Sequence, residues 1–135
     1  ITAIYTLLAE GDDLNDPIVD LARASLDGQV ILSRDLADAA HYPAIDLAGS
    51  ISRLMPTLVE NERLSSANRF RRLWTLYQQN QDLIQVGAYS VGSNKDIDSA
   101  IELRDLMEGF LRQSMDESSG QEESFSQLLG CLGGE

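Results

Sequence analysis

Hydrophobic and polar positions along this chain change period near its middle. Ile1 to Leu8 is rich in β-branched and aromatic residues and predicts a buried strand, followed by an acidic turn over Glu10 to Asp13. Asp16 then caps a helix whose first turn begins at Pro17, and Gly28 supplies the left-handed end. Gln29 to Leu32 reads as a short strand, and Ser33 caps a helix holding Leu36 and Ala37. After Met55-Pro56 the period lengthens. From about Glu62 to Val86 the positions Phe70, Leu73, Trp74, Tyr77 and Ile84 follow helical spacing. Gly87 to Asn94 breaks the pattern, and Ser93 with Asp96 predicts the cap of a second helix, on which Ile97, Ala100, Ile101, Met107, Phe110 and Leu111 share a face. Phe70, Trp74, Met107 and Phe110 read as ordinary core rather than a cofactor box. From Ser114 the chain turns to Ser, Glu and Gly with a weak apolar patch at Phe125, Leu128, Leu129 and Leu132, which predicts a flexible acidic tail over 114–135 with a terminal amphipathic turn. No internal repeat is evident.

The first half is therefore α/β in rhythm, and in such sheets ligands sit at the carboxyl ends of strands. The loop through His41-Tyr42-Pro43-Ala44-Ile45-Asp46 and Ser50-Ile51-Ser52-Arg53-Leu54-Met55-Pro56 falls there. Pro43 fixes its own φ and keeps Tyr42 out of the helical region, so the ring rides on extended backbone. Arg53 stands among small hydroxyl residues, a setting that suits a guanidinium presented to phosphate or carboxylate. Each has a plainer alternative: Tyr42 as core, and Arg53 as a tether to an acid such as Asp46.

With 135 residues and 43% hydrophobic content, the chain can bury one modest core. A formal charge of −12 disfavours nucleic acid, whose phosphates need clustered cations in excess, and anionic lipid likewise. Arg63, Arg69, Arg71 and Arg72 form a local basic group, read first as a solvated helix face paired with nearby acids and second as a docking patch. Cys131 is the sole cysteine, so no intrachain disulfide forms and no oxidising compartment is implied. No apolar run approaches the ~20 residues that span a bilayer. A cytoplasmic setting is the default expectation. His41 is the only histidine and reads as a hydrogen-bonded loop residue; sites needing two histidines are excluded. Asp12 and Asp13 read as a solvated turn, and no calcium-loop pattern or nucleophile elbow occurs.

The same motifs, with Ile1-Thr2-Ala3-Ile4-Tyr5-Thr6, Ala9-Glu10-Gly11-Asp12-Asp13, Asp16-Pro17-Ile18, Leu32-Ser33-Arg34-Asp35-Leu36-Ala37 and Asp82-Leu83-Ile84-Gln85-Val86-Gly87-Ala88-Tyr89, follow one another in a family's order. Residues 1–113 resemble the hexameric rotary-type ATPases and, within these, the flagellar and type III protein-export ATPases. Ala40 stands where that family usually has glycine, and Leu54 where valine is common. A phosphate loop needs glycines and a lysine in fixed register, whereas the single lysine here, Lys95, has none. The resemblance thus implies the C-terminal portion of a P-loop, RecA-like core over 1–58 and a helical C-terminal domain over 59–113, inactive alone. It implies ATP and Mg2+ held mainly by residues outside this chain, with Tyr42 packing on adenine and Arg53 acting as an arginine finger on a neighbouring subunit's nucleotide. Implied partners are a homohexamer, a coiled-coil stalk protein, an export gate and chaperone-substrate complexes, placed in the cytoplasm at the inner membrane. No nucleic acid, membrane span or metal-ligating residue is expected in the chain. A rotary ATP synthase catalytic subunit and a free, non-catalytic acidic module are the alternatives; the first carries acidic residues where this chain has Val91-Gly92-Ser93-Asn94-Lys95-Asp96.

Overall fold

A computed structural model describes residues 2–9 and 16–133. Residues 2–9 carry no regular structure, and Ile4 and Leu8 are 93% and 96% exposed. The strand expected there does not form, because a strand exists only through pairing and the two-stranded sheet of the described residues does not reach this segment. The acidic turn at Glu10 to Asp13 lies outside the described residues.

Helix α1 (Pro17–Ser25) starts as its sequence dictates, the Asp16 carboxylate accepting from the N–H groups of Ile18 and Val19 at 2.7 and 3.3 Å. Its end differs from expectation. Leu26 in extended conformation closes it, and Gly28 instead opens strand β1 (Gly28–Leu32). Glycine is needed there for space, since an added Cβ would lie 2.7 Å from the Ile51 carbonyl oxygen. Helix α2 (Arg34–Asp38) has its Ser33 cap, and the turn after it runs through Ala40 at φ 53°, a left-handed conformation that glycine adopts more freely.

Strand β2 (Ile45–Ser52) pairs with β1 antiparallel, not in a parallel sheet. Helices and strands alternate over this stretch as the α/β rhythm predicts, but the expected loop over 45–52 is itself a strand, so Tyr42 and Arg53 flank the two ends of a hairpin instead of sharing one loop. Gln29 faces Ile51 and Ile31 faces Asp46, so Leu47 to Ser50 stand opposite Val30 alone in a wide bulge. The bulge bonds itself: Asp46 Oδ1 accepts from the N–H groups of Ala48 and Gly49 at 2.9 and 3.1 Å, and Ser50 Oγ accepts from the Ile31 N–H at 2.9 Å.

Helices α3 (Met55–Leu58), α4 (Asn61–Gln85), α5 (Lys95–Glu102), α6 (Arg104–Leu111) and α7 (Gln121–Cys131) follow. The long amphipathic helix falls where its spacing predicted it. Phe70, Leu73 and Trp74 of α4 meet Ala100, Met107, Cys131 and Leu132 in the core, and Phe110 packs edge-on to Phe70 at 5.3 Å, so the stripe is core as read. The second helix is two, broken at Leu103, so that Ala100 and Met107 both become fully buried. Its cap is Asn94, not Ser93; the Asn94 side chain accepts from Asp96 and Ile97. The flexible acidic tail gives way, over Gln121–Cys131, to a packed helix whose end buries Cys131 and Leu132. Phe125, Leu128, Leu129 and Leu132 repeat at helical spacing, and that period outweighs the polar composition around them.

His41 is the one buried charged or polar side chain of the described residues, 5% exposed. Its N–H donates to the Leu36 carbonyl at 2.8 Å, and its Nδ1 accepts from Arg112 Nε at 3.4 Å. Burial first, then the Arg112 charge, push its pKa below the ordinary 6.5, with Glu108 opposing. The unfolded chain therefore binds a proton that the folded one resists. Stability is full above about pH 6.5 and falls as pH drops through that value towards the lower folded pKa.

Two outcomes follow from this packing. Met107→Ala costs about 3 kcal/mol in urea unfolding, whereas the same change at the fully exposed Met115 costs less than about 0.5 kcal/mol. His41→Gln flattens the dependence of unfolding free energy on pH between about 7 and 5, read from urea midpoints across that range.

Candidate functional site

Tyr42 lies between α2 and β2, with a cis peptide bond to Pro43. Its carbonyl accepts from the Gln113 N–H at 2.9 Å, which ties the loop to the end of α6. The residue is 55% exposed, so it is not the core residue of the plainer reading; an exposed ring on a fixed backbone is what stacking on a flat base requires.

Arg53 directly follows β2. Its N–H donates to the Asp27 carbonyl at 2.8 Å, extending the strand by one residue. Its guanidinium donates through Nη2 to the Arg23 carbonyl at 3.0 Å and through Nη1 to the Ala24 carbonyl at 3.4 Å. Those carbonyls close the last turn of α1, the negative end of the helix dipole, where a cation is favoured. Asp46 is not its partner; that carboxylate is spent inside the bulge. Arg53 remains exposed and lines a cleft of about 300 Å3 with Arg23, Gln29, Gly49, Ser50 and Arg71.

Tyr42 and Arg53 are not brought together. They flank opposite ends of the hairpin, whose paired limits Gly28 and Leu32 are separated by about 13 Å at strand rise.

Three arginines of the basic group on α4 take three different kinds of partner. Arg63 pairs with Glu122 of α7 at 2.6 Å and lies over the Phe125 ring at 4.7 Å. Its hydrogen bond to Glu122 holds the arginine pKa above, and the glutamate pKa below, the ordinary value. Arg72 pairs with Asp96 of α5. Among the described residues Arg71 meets backbone rather than an acid: one terminal nitrogen donates to the carbonyls of Leu47 at 2.9 Å, Ala48 at 3.2 Å and Ser50. Sequence reasoning missed this contact, because its partners are backbone atoms more than twenty residues upstream that carry no side-chain signature. Among the described residues no group of three His, Cys, Asp or Glu side chains gathers to hold a metal, and no helix is long and apolar enough to cross a membrane.

The chain is similar to known proteins over nearly its whole length. Residues 1–52 match the ATP synthase alpha/beta family, nucleotide-binding domain. The flagellum-specific ATP synthase of Pseudomonas aeruginosa is 54% identical over 134 residues, covering 99% of this chain, which spans 30% of that relative's length. The assembled ATPase EscN of the enteropathogenic E. coli type III secretion system superposes with a TM-score of 0.93 at 40% identity, over 97% of this chain and 32% of that one. EscN in complex with its central stalk EscO superposes with a TM-score of 0.81 at 36% identity, over 86% of this chain and 29% of EscN. The helical half, residues 59–130, matches the T3SS EscN ATPase C-terminal domain, and with more than half of its length inside that match this chain belongs to that family.

Proposed function

We propose that this chain is the C-terminal portion of an ATPase that energises flagellar or type III protein export, hydrolysing ATP at the subunit interfaces of a homohexamer. Residues 1–58 complete the nucleotide-binding core and the residues from 59 onward form the helical domain. The observation that carries the reading is the placement of Arg53: an exposed guanidinium, anchored by backbone on both sides, at the end of the hairpin remote from Tyr42.

The chemistry follows from that placement. Phosphoryl transfer accumulates charge on the oxygens of the moving group, and a fixed guanidinium offsets it. Two of the five N–H donors of Arg53 meet α1 among the described residues, which leaves its outer edge to reach a phosphate held by a neighbouring protomer. The exposed Tyr42 ring fits the adenine of the chain's own nucleotide, at a different interface. In this reading the two residues serve nucleotides at two different interfaces, which requires an oligomer. Magnesium neutralises phosphate charge in such sites, but the described residues of this chain offer no ligand cluster for it, and none is assigned here.

The match of residues 59–130 to the export family's own C-terminal domain favours export over a rotary ATP synthase subunit, and a second match over residues 1–52 disfavours a free acidic module. The proposed partners are a coiled-coil stalk, supported by the stalk-bound EscN neighbour, together with an export gate and chaperone-substrate complexes, at the cytoplasmic side of the inner membrane. In the intact enzyme, Arg53→Ala lowers ATP turnover by about 10³-fold or more while hexamers still form. Turnover near wild type from assembled Arg53→Ala hexamers refutes the finger assignment.

A further inference from the structure

We infer that Arg71 is a positioning residue for Arg53, through which the helical domain sets the geometry of the finger. The inference rests on the reading of Arg53 given above and adds to it a second arginine that never touches nucleotide.

The bulge Leu47 to Ser50 puts four residues opposite one, and its outward carbonyls lack strand partners at that point. Arg71 supplies the donor, reaching the carbonyls of Leu47, Ala48 and Ser50 from α4. Ser50 stands three residues before Arg53, and the short stretch between them is paired to Gln29 and Gly28. A shift of the bulge therefore travels along stiff backbone to the finger. Arg71 and Arg53 also line the same cleft. On the other side Arg71 is fixed by its own helix, whose adjacent Phe70 and Leu73 are 3% and 5% exposed in the core.

All three carbonyls are met by one terminal nitrogen, Nη2, carried at the end of a planar, stiff group that a lysine ammonium on its flexible stem places less firmly. The bonds are also local enough that their loss moves the hairpin end without opening the core. Since a misplacement of ~1 Å costs on the order of 10²-fold in rate, a modest loosening registers mainly in turnover.

The test compares Arg71→Ala, Arg71→Lys, Arg53→Ala and the Arg53→Ala/Arg71→Ala double variant in the intact, assembled enzyme, measuring kcat, KM for ATP and hexamer yield. Arg71→Ala lowers kcat by about 10-fold or more with KM changed less than about 3-fold and hexamers retained, Arg71→Lys rescues it only partly, and in the Arg53→Ala background Arg71→Ala has no further effect. The inference is overturned if Arg71→Ala leaves kcat within 2-fold of wild type, or if it lowers kcat equally with and without Arg53. A loss of hexamers in both Arg71 variants also overturns it, by making Arg71 an assembly residue. If Arg53→Ala itself turns over at the wild-type rate, the finger reading fails first and takes this one with it, a pattern distinct from the others.

Discussion

The contact between the Arg71 guanidinium and the carbonyls of the β2 bulge is the joint on which this molecule turns. A hairpin of two short strands is marginal by itself, and one with four residues extruded opposite Val30 is more so. It persists because the extrusion is seated. Leu47 packs against the helical core while Arg71 takes up the carbonyls around it. A second strut holds the other end, where the Gln113 N–H bonds the Tyr42 carbonyl and Arg112 bonds the buried His41. The hairpin is thus pinned to helices that come later in the sequence, with Tyr42 at one of those pins and Arg53 just beyond the other.

Charge is used unevenly across this arrangement. The chain is strongly acidic, yet its arginines do much of the joining. Arg72 with Asp96 and Arg104 with Asp105 are exposed pairs, worth ~0–1 kcal/mol each. Arg53 and Arg71 instead meet carbonyl oxygens, partners that neither titrate nor swing away. A guanidinium held by backbone has a defined position, and position is what a charge acting on a transient phosphoryl group must have.

Much of this was readable from residues alone, and the failures share causes. Asp16 with Pro17, Ser33, and the stripe through Phe70, Leu73 and Trp74 behaved as local rules require, because capping and helical period are decided within a few residues. Ile1 to Leu8 looked like a strand, and residues 2–8 do not form one here, since pairing is non-local and composition says nothing of a partner. Gly28 was read as a helix end by conformational preference, whereas close approach to Ile51 is what demands it. The last helix was hidden by serine, glutamate and glycine, although Phe125, Leu128, Leu129 and Leu132 already carried its period. Tyr42 and Arg53 were found through motif order, but their separation across an antiparallel hairpin needed the fold. Arg71 read as a solvated cation or part of a docking patch, because a carbonyl has no letter in the sequence.

The claim at the centre is that Arg53 serves a nucleotide belonging to another copy of the protein. The most direct measurement mixes intact subunits carrying Arg53→Ala with intact subunits whose phosphate loop is disabled, each inactive alone, and follows ATP turnover of the reassembled hexamers. Some interfaces of the mixed ring then pair a working phosphate loop with a working Arg53, and the account predicts that activity returns. Mixed rings that assemble fully and stay as inactive as either parent would contradict it.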